Sequence, residues 1–360
     1  MKRVKGIDLV RGVSMFWMFT GHILDWWLQA QYQWFEQIVM NIFDVIGATA
    51  FLFIAGVSTM ISYRKRISKA EKKERYHPTI IKREYYTRAS LLFIIGLIYN
   101  ISIAIFTGNI LYAWKWFILI TIPVCLFLSW PLLKISRVSR ICVAIIIFIG
   151  HLILLSVLLN LKENSVFLEM IYYFLYFSRD QNPILPNLPF FIVGTILGDI
   201  IFDIYHIDEI KEHRRRLKKE LIIPGYLGGG FLVFLGVIYN FPNFLINRTN
   251  SWYIYALGIE VVLITTLIVL EELGFFDTKK SYRFLFYFSY FSLTVYLSHN
   301  IMYFLFLNQL NPINVWFFII GTFIVWAIGL RFLYKRFGHR ISLKYIIAQI
   351  ATRISYMNEE

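Results

Sequence analysis

Charge and cysteine are scarce in this chain. Asp, Glu, Lys and Arg make up 16% of its 360 residues, against about 25% in an ordinary soluble domain. Only two cysteines are present, Cys125 and Cys142, too few for a disulfide framework or a cysteine-rich zinc site. With 20 glycines a collagen-like repeat is excluded. Acidic residues are few as well: 22 Asp and Glu face 36 Lys and Arg, for a net charge of +14. The cations lie between apolar runs rather than in a domain of their own, so the charge does not mark a nucleic-acid partner. What abounds is apolar surface. Hydrophobic residues reach 58%, with 34 Phe, 23 Tyr and 10 Trp, more than one water-soluble core can bury and far too apolar for a disordered chain. This is the composition of a polytopic membrane protein whose first partner is lipid.

Crossing about 30 Å of hydrocarbon takes roughly 20 apolar residues. Runs of that length fall near 7–28, 39–62, 86–106, 110–133, 139–161, 185–204, 221–240, 252–272, 284–306 and 314–334. The fold class expected is therefore all-α, a transmembrane helix bundle of about ten spans. The first run is too long for a signal peptide, carries Asp8 and Arg11, and has no small-residue cleavage site before Trp26-Trp27, so it stays as the first helix. With the N-terminus placed in the cytoplasm, the alternate segments on that side hold 32 of the 36 Lys and Arg. Lys115, Lys162, Arg179 and Arg248 are left outside. Basic loops resist translocation, so both termini are expected to be cytoplasmic. One transmembrane domain spans 1–340, followed by a basic cytoplasmic C-terminal tail, 341–360. The location expected is the plasma membrane of a prokaryote, and the composition is compatible with a homo-oligomer.

Ionisable groups within the bilayer are costly and mark function. His22 lies fifteen residues past Ile7, about 22 Å along a helix rising 1.5 Å per residue, in the outer third of the membrane. Asp25 follows by three residues, on the same helix face. His299 lies fifteen residues past Phe284 in a span of the same direction, again about 22 Å deep. Asp44, near the outer start of the second span, reaches a similar level. Two histidines and two aspartates thus converge in depth, as packing residues or as an acid–base site.

Other polar positions carry two readings each. Asp8 and Arg11 form either a local ion pair or an arginine fork open to phosphate. The string RKRISKAEKKERYHPTIIKR (64–83) is a solvated loop near anionic lipid or a rim that attracts a polyanionic cytosolic ligand. Glu260, in the middle of the eighth span, must be paired or protonated, while Asp199 and Asp203 fit an interfacial position. Pro183, Pro186 and Pro189 predict extended backbone before the sixth span, as a helix entry or as one wall of an outward-facing pocket. Gly194 and Gly198 predict a small-xxx-small packing face. Asn247-Arg248-Thr249 is a glycosylation sequon.

The string IDLVRGVSMFWMFTGHILD resembles the first-helix signature of heparan-α-glucosaminide N-acetyltransferase-like membrane acyltransferases and, more distantly, of acyltransferase family 3. Arg11 and His22 keep the eleven-residue spacing of those families. AFLFIAGVS (50–58), DQNPILP (180–186) with Gly194 and Gly198, and FSLTVYLSHN (291–300) are similar to three further motifs, in the expected order. The resemblance implies transfer of an acyl group, typically acetyl, from cytosolic acyl-CoA to an acceptor across the membrane, such as an amino sugar or other glycan. In family 3 the histidine at the His22 position is the catalytic candidate. In the heparan branch an asparagine stands there and the active histidine follows in the first luminal loop. This chain has no histidine between His22 and His77.

An acyl thioester is already activated, so the chemistry calls for no metal. It needs a base for the acceptor and a donor to the tetrahedral oxyanion. His22 is expected as the base, oriented by Asp25, with His299 as oxyanion donor or structural partner and Asp44 at the same level. Arg11 with Asp8, and Arg64, Lys65 and Arg88 of the basic loop, are expected to hold the acetyl-CoA phosphates. Asp180, Asn182 and Pro183 are the candidates to line the acceptor site. The competing reading is a proton-coupled transporter that relays through His22, Asp44 and Glu260.

Overall fold

The computed structural model describes residues 4–72, 77–177, 181–276 and 283–357. Its helices are α1 (Lys5–Trp27), α2 (Gln33–Phe43), α3 (Ala48–Lys72), α4 (Pro78–Thr107), α5 (Ile118–Ser129), α6 (Arg137–Leu161), α7 (Val166–Leu175) and α8 (Ile184–Ile204). These are followed by α9 (Ile210–Arg216), α10 (Ile223–Tyr239), α11 (Asn250–Glu272), α12 (Arg283–Tyr290), α13 (Ser292–Ser298), α14 (Asn314–Phe337) and α15 (Leu343–Tyr356). Short 3₁₀ turns link several of them. An all-α, polytopic bundle is what the apolar runs anticipated.

Eight helical stretches among the described residues are long and apolar enough to cross a membrane. The expected ten included two that do not meet that standard, α1 and the segment 284–306. Both are interrupted by polar groups, and the second is not one helix. It kinks at Phe291 (φ −94°, ψ 20°) and tightens into a 3₁₀ turn over His299–Phe304. Depth counted from Phe284 along a straight axis therefore does not apply to His299.

The chain divides into two compact units, and the division runs through α3, α9 and α15. The first comprises Met1–Phe51 and Arg214–Ile346, with α1 at its centre. Trp17, Phe19, Ile23, Leu24, Trp27 and Leu28 pack against Val39, Leu310, Val315 and Ile319 in its core. Gly12 lets α12 approach closely, since a Cβ there would lie 2.5 Å from the Leu285 carbonyl oxygen. The end of α1 is tied to the segment after the 3₁₀ turn. Trp27 Nε1 donates to the Met302 carbonyl at 2.8 Å, Asn308 N to Trp26 O at 2.9 Å and Leu310 N to Trp27 O at 2.8 Å. These bonds fix the levels of α1 and the His299 segment relative to each other.

The second unit comprises Leu52–His213 and Ile347–Glu360. Its centre is α8, which is mostly buried, whereas α4 and α6 expose rows of isoleucine such as Ile98, Ile105, Ile146 and Ile153. Such rows suit lipid contact. Gly194 and Gly198 form the packing face that their spacing predicted, and their partner is α3. A Cβ at Gly198 would lie 2.5 Å from the Val57 carbonyl oxygen. Gly194 meets the Phe53 carbonyl and Gly56 meets the Phe191 carbonyl more closely still. The prolines correct the sequence reading. Pro183 is extended and caps α8, but Pro186 and Pro189 lie within its first two turns. A helix's first residues have no intrahelical acceptor for their N–H, so a missing proton costs little at Pro186. The segment 341–360, expected as a basic tail, forms α15 up to Tyr356. Within the second unit Thr352 Oγ1 of α15 donates to Glu84 Oε1 at 2.9 Å, and Arg66 pairs with Glu84 at 2.6 Å.

Candidate functional site

The first unit brings the two deep histidines together. Their ring centroids are 5.0 Å apart. Trp26, one turn beyond His22, stacks on both rings, at 5.4 Å from His22 and 5.6 Å from His299. Spacing of i,i+4 sets His22 and Trp26 on one face of α1, and the backbone ties described above bring the 3₁₀ turn beside them. Trp26 was missed from sequence; its offset from His22 was the available signal.

The two rings differ in access. His299 is 1% exposed, whereas His22 is half-buried. His299 Nδ1 donates to the Tyr296 carbonyl. A carbonyl can only accept, so this bond fixes the tautomer in which Nε2 carries the lone pair. In that tautomer the uncharged ring cannot donate to an oxyanion from Nε2; it can accept a proton there. Asp25 is exposed, and the rings that His22 touches are Trp26 and His299.

Asp44 is buried in the 3₁₀ turn that precedes α3. It accepts from Asn247 Nδ2 at 2.9 Å, with Arg248 Nη2 at 3.9 Å. Gly47 leaves it space, for a Cβ there would collide with the Asp44 carboxylate and lie 3.1 Å from Trp17. The loop between α10 and α11 is pinned here by a second bond, from Asn247 N to Asn41 Oδ1 at 3.1 Å. Arg248 sits at φ +60°, and Thr249 caps α11 by accepting from Trp252 N at 3.3 Å. Gly47 stands between Asp44 and Trp17 of α1, which places the Asp44–Arg248 pair on the α1 side of this unit. Neither Asn247 nor Arg248 was anticipated as a site residue. The signal was that Arg248 is one of four cations on the cation-poor side. The Asn247 amide is committed to Asp44, which argues against its use as a glycosylation acceptor.

At the other end of α1, Arg11 Nη1 lies 3.6 Å from Asp8 Oδ1 and 3.5 Å from Ser289 Oγ. Ser289 in turn donates to Asp8 at 3.3 Å, so the local ion pair exists and is tied to α12. Glu260 is 2% exposed and neither of its oxygens has a hydrogen-bond partner among the described residues.

In the second unit, Arg64, Lys65 and Arg88 are half-buried on α3 and α4. Asp180 lies outside the described residues. Asn182 is fastened through its backbone, N to the Trp116 carbonyl at 2.9 Å and O from Thr121 Oγ1 at 2.6 Å. Pro183 is buried, and its carbonyl accepts from Asn187 Nδ2 at 2.8 Å. Cys125 is buried and Cys142 exposed, both unpaired. No group of three His, Cys, Asp or Glu side chains suited to a metal ion occurs among the described residues.

No curated protein and no solved structure matches the chain. A family model does: heparan-alpha-glucosaminide N-acetyltransferase, catalytic, over residues 3–239. That stretch contains Arg11, His22, Asp25, Asp44 and the Gly56–Gly194–Gly198 contact, while Arg248 and His299 follow it. By that match the chain belongs to the heparan-alpha-glucosaminide N-acetyltransferase catalytic family, and it is an integral, multi-pass membrane protein of an acetyltransferase family.

Proposed function

We propose that this protein moves an acyl group, acetyl in the first instance, from acyl-CoA to an extracytoplasmic amine or hydroxyl acceptor such as an amino sugar or glycan, with His22 as general base. The observation that carries the reading is the pair of imidazoles 5.0 Å apart, drawn from two segments at opposite ends of the chain. Exposure divides their roles. The half-buried His22 is open to substrate, while the buried His299 acts as a positioning residue and as the second proton acceptor through Nε2.

In the transfer, His22 takes the proton from the acceptor N–H or O–H as that atom attacks the thioester carbonyl. The carbonyl oxygen gains the negative charge of a tetrahedral intermediate. Arg248 is the cation assigned to that charge. Collapse breaks the C–S bond, and the leaving thiolate takes the proton back from His22, so the products are the acylated acceptor and free thiol. Asp44 holds Arg248 in place, and Asp25, three residues beyond His22 on the same helix face, is assigned to orient the base. The donor's phosphates fall to the cations expected at the cytoplasmic side. In the first unit that cation is Arg11.

The test is purified protein with labelled acetyl-CoA and a panel of amino sugars, wild type against His22→Ala. Transfer is expected to disappear in the variant while coenzyme A binding persists. Turnover retained by a folded, CoA-binding His22→Ala protein discards the assignment.

A further inference from the structure

In the second unit, α3, α6 and α8 bring three arginines onto two aspartates. Arg64 Nη2 donates to Asp203 Oδ1 at 2.6 Å, and its Nε lies 3.5 Å from Asp199 Oδ1. Arg137 Nε donates to Asp199 Oδ2 at 3.2 Å, and its Nη2 donates to Asp203 Oδ2. Arg140 donates to Asp199 Oδ2 at 2.6 Å and to the Thr195 carbonyl at 3.1 Å. Asp203 therefore bridges two guanidinium groups with one oxygen each, the arrangement a phosphate makes between paired arginines.

The cluster is graded from inside to outside. The Arg140 and Asp199 side chains are 2% and 10% exposed, and Arg140 Nε is buried with no partner among the described residues. Arg64 and Arg137 are 39% and 32% exposed, and Asp203 is 30% exposed. The Phe202 ring, 5.0 Å from the Arg64 guanidinium, steadies its plane. The flanking strings RKRISK (64–69) and KISRVSR (134–140) carry four and three cations and no acid. The network is also unmatched, with three guanidinium groups on two carboxylates. Here the inner half is fixed, and the outer half presents two arginines to solvent around a displaceable carboxylate.

We propose that Arg64 and Arg137 form a phosphate-binding clamp, positioned by Arg140 and Asp199, with Asp203 as the internal anion that a ligand phosphate displaces. Arg64 alone was foreseen from sequence as a phosphate contact. The ligand is a phosphate ester, either on the nucleotide handle of the acyl donor or on an anionic lipid headgroup. The first source rests on the acyl-transfer reading, and the second does not.

Binding is measured directly on the full-length protein, without turnover. One probe is coenzyme A, by calorimetry. The other is retention of phosphatidylglycerol over phosphatidylcholine, by native mass spectrometry from nanodiscs containing both. The Arg64→Gln/Arg137→Gln protein is expected to bind one of the two at least tenfold more weakly, and which one identifies the source. Asp203→Asn, which removes the competitor but keeps the shape, is expected to leave that binding unchanged or tighter. If the double variant does not purify folded, Arg137→Lys keeps the charge, loses the fork, and should weaken binding severalfold. The proposal is overturned if Asp203→Asn weakens binding as much as the arginine changes, or if neither probe responds to any of them. Loss of transfer in His22→Ala with coenzyme A binding intact bears on the chemistry alone.

Discussion

Replacing Gly198 by alanine tests whether the α3–α8 contact is a backbone-on-backbone joint. The new Cβ would lie 2.5 Å from the Val57 carbonyl oxygen, 3.0 Å from Val57 Cα and 3.1 Å from Met60 Cβ. A relaxed carbon–oxygen contact is roughly 3.3 Å, so the helices must part by about 0.8 Å. A gap of that size forfeits about a quarter to a half of each dispersion contact it opens, and overpacking in general costs about 1–3 kcal/mol. A carbonyl in a helix cannot swing aside as a side chain can, so the upper end applies, about 3 kcal/mol. Alanine returns about 1 kcal/mol through helix propensity, leaving a net loss of about 2 kcal/mol. Gly228 on α10 is the control, because nothing lies within 4 Å of a Cβ built there. Gly228→Ala should be neutral or stabilising by about 1 kcal/mol. The assay is the unfolding midpoint in detergent titrated with dodecyl sulfate, followed by tryptophan fluorescence. If Gly198→Ala unfolds no earlier than Gly228→Ala, the close approach of α3 and α8 is not what holds the second unit together.

Two further outcomes are expected in the first unit. His299→Asn keeps an amide N–H that can donate to the Tyr296 carbonyl but removes the acceptor nitrogen. It should lower kcat about a hundredfold or more, the range of one acid–base group, with KM for acetyl-CoA unchanged; an unaltered kcat removes His299 from the reaction. Asp44→Asn strands Arg248 beside the site. Removing one partner of a buried pair costs up to about 3–5 kcal/mol, and the 3.9 Å separation puts this pair near about 1–2 kcal/mol. Arg248→Gln added to Asp44→Asn should recover part of that loss in a thermal melt, and strictly additive losses would show that the two do not interact.

The long apolar runs are legible because lipid imposes its requirement on each helix separately, residue by residue. That is why α4, α6, α10, α11 and α14 fall where composition put them. The depth of His22 follows from the rise of one helix and could be counted. His299 could not be counted in the same way, since the kink at Phe291 has no proline or glycine to announce it. The pairing of Arg64, Arg137 and Arg140 with Asp199 and Asp203 has no sequence signal either. It joins three helices: spacing puts Asp199 and Asp203 on one face of α8 and Arg137 and Arg140 on one face of α6, but nothing in spacing says that the two faces meet. Arg248 was visible as an isolated cation, but its approach to Asp44 depends on a left-handed backbone residue in a loop. Pro186 misled because the effect of a proline depends on position: the same residue that breaks a helix interior is tolerated in its first turn.

The two expected spans that fall short of the apolar standard are the two that carry His22 and His299, and this follows from where they sit. A helix facing lipid on most of its circumference, such as α6, can place polar atoms there only by burying backbone-free donors in hydrocarbon. Its lipid-facing side is accordingly apolar, and its polar residues Arg140 and His151 lie buried on the protein side. A helix wrapped by other helices, such as α1, meets protein on nearly every side and can hold Asp8, Arg11, His22 and Asp25 if neighbours supply partners. Those partners are Ser289, the Tyr296 carbonyl's own histidine, and Trp26, all fixed by the same contacts that bury α1. The same argument applies to α8, the most enclosed helix of the second unit, whose Asp199 and Asp203 are matched by arginines of α3 and α6. Polarity too high for lipid and too buried for water therefore marks the segments where chemistry is possible, and hydropathy weakens where the site lies.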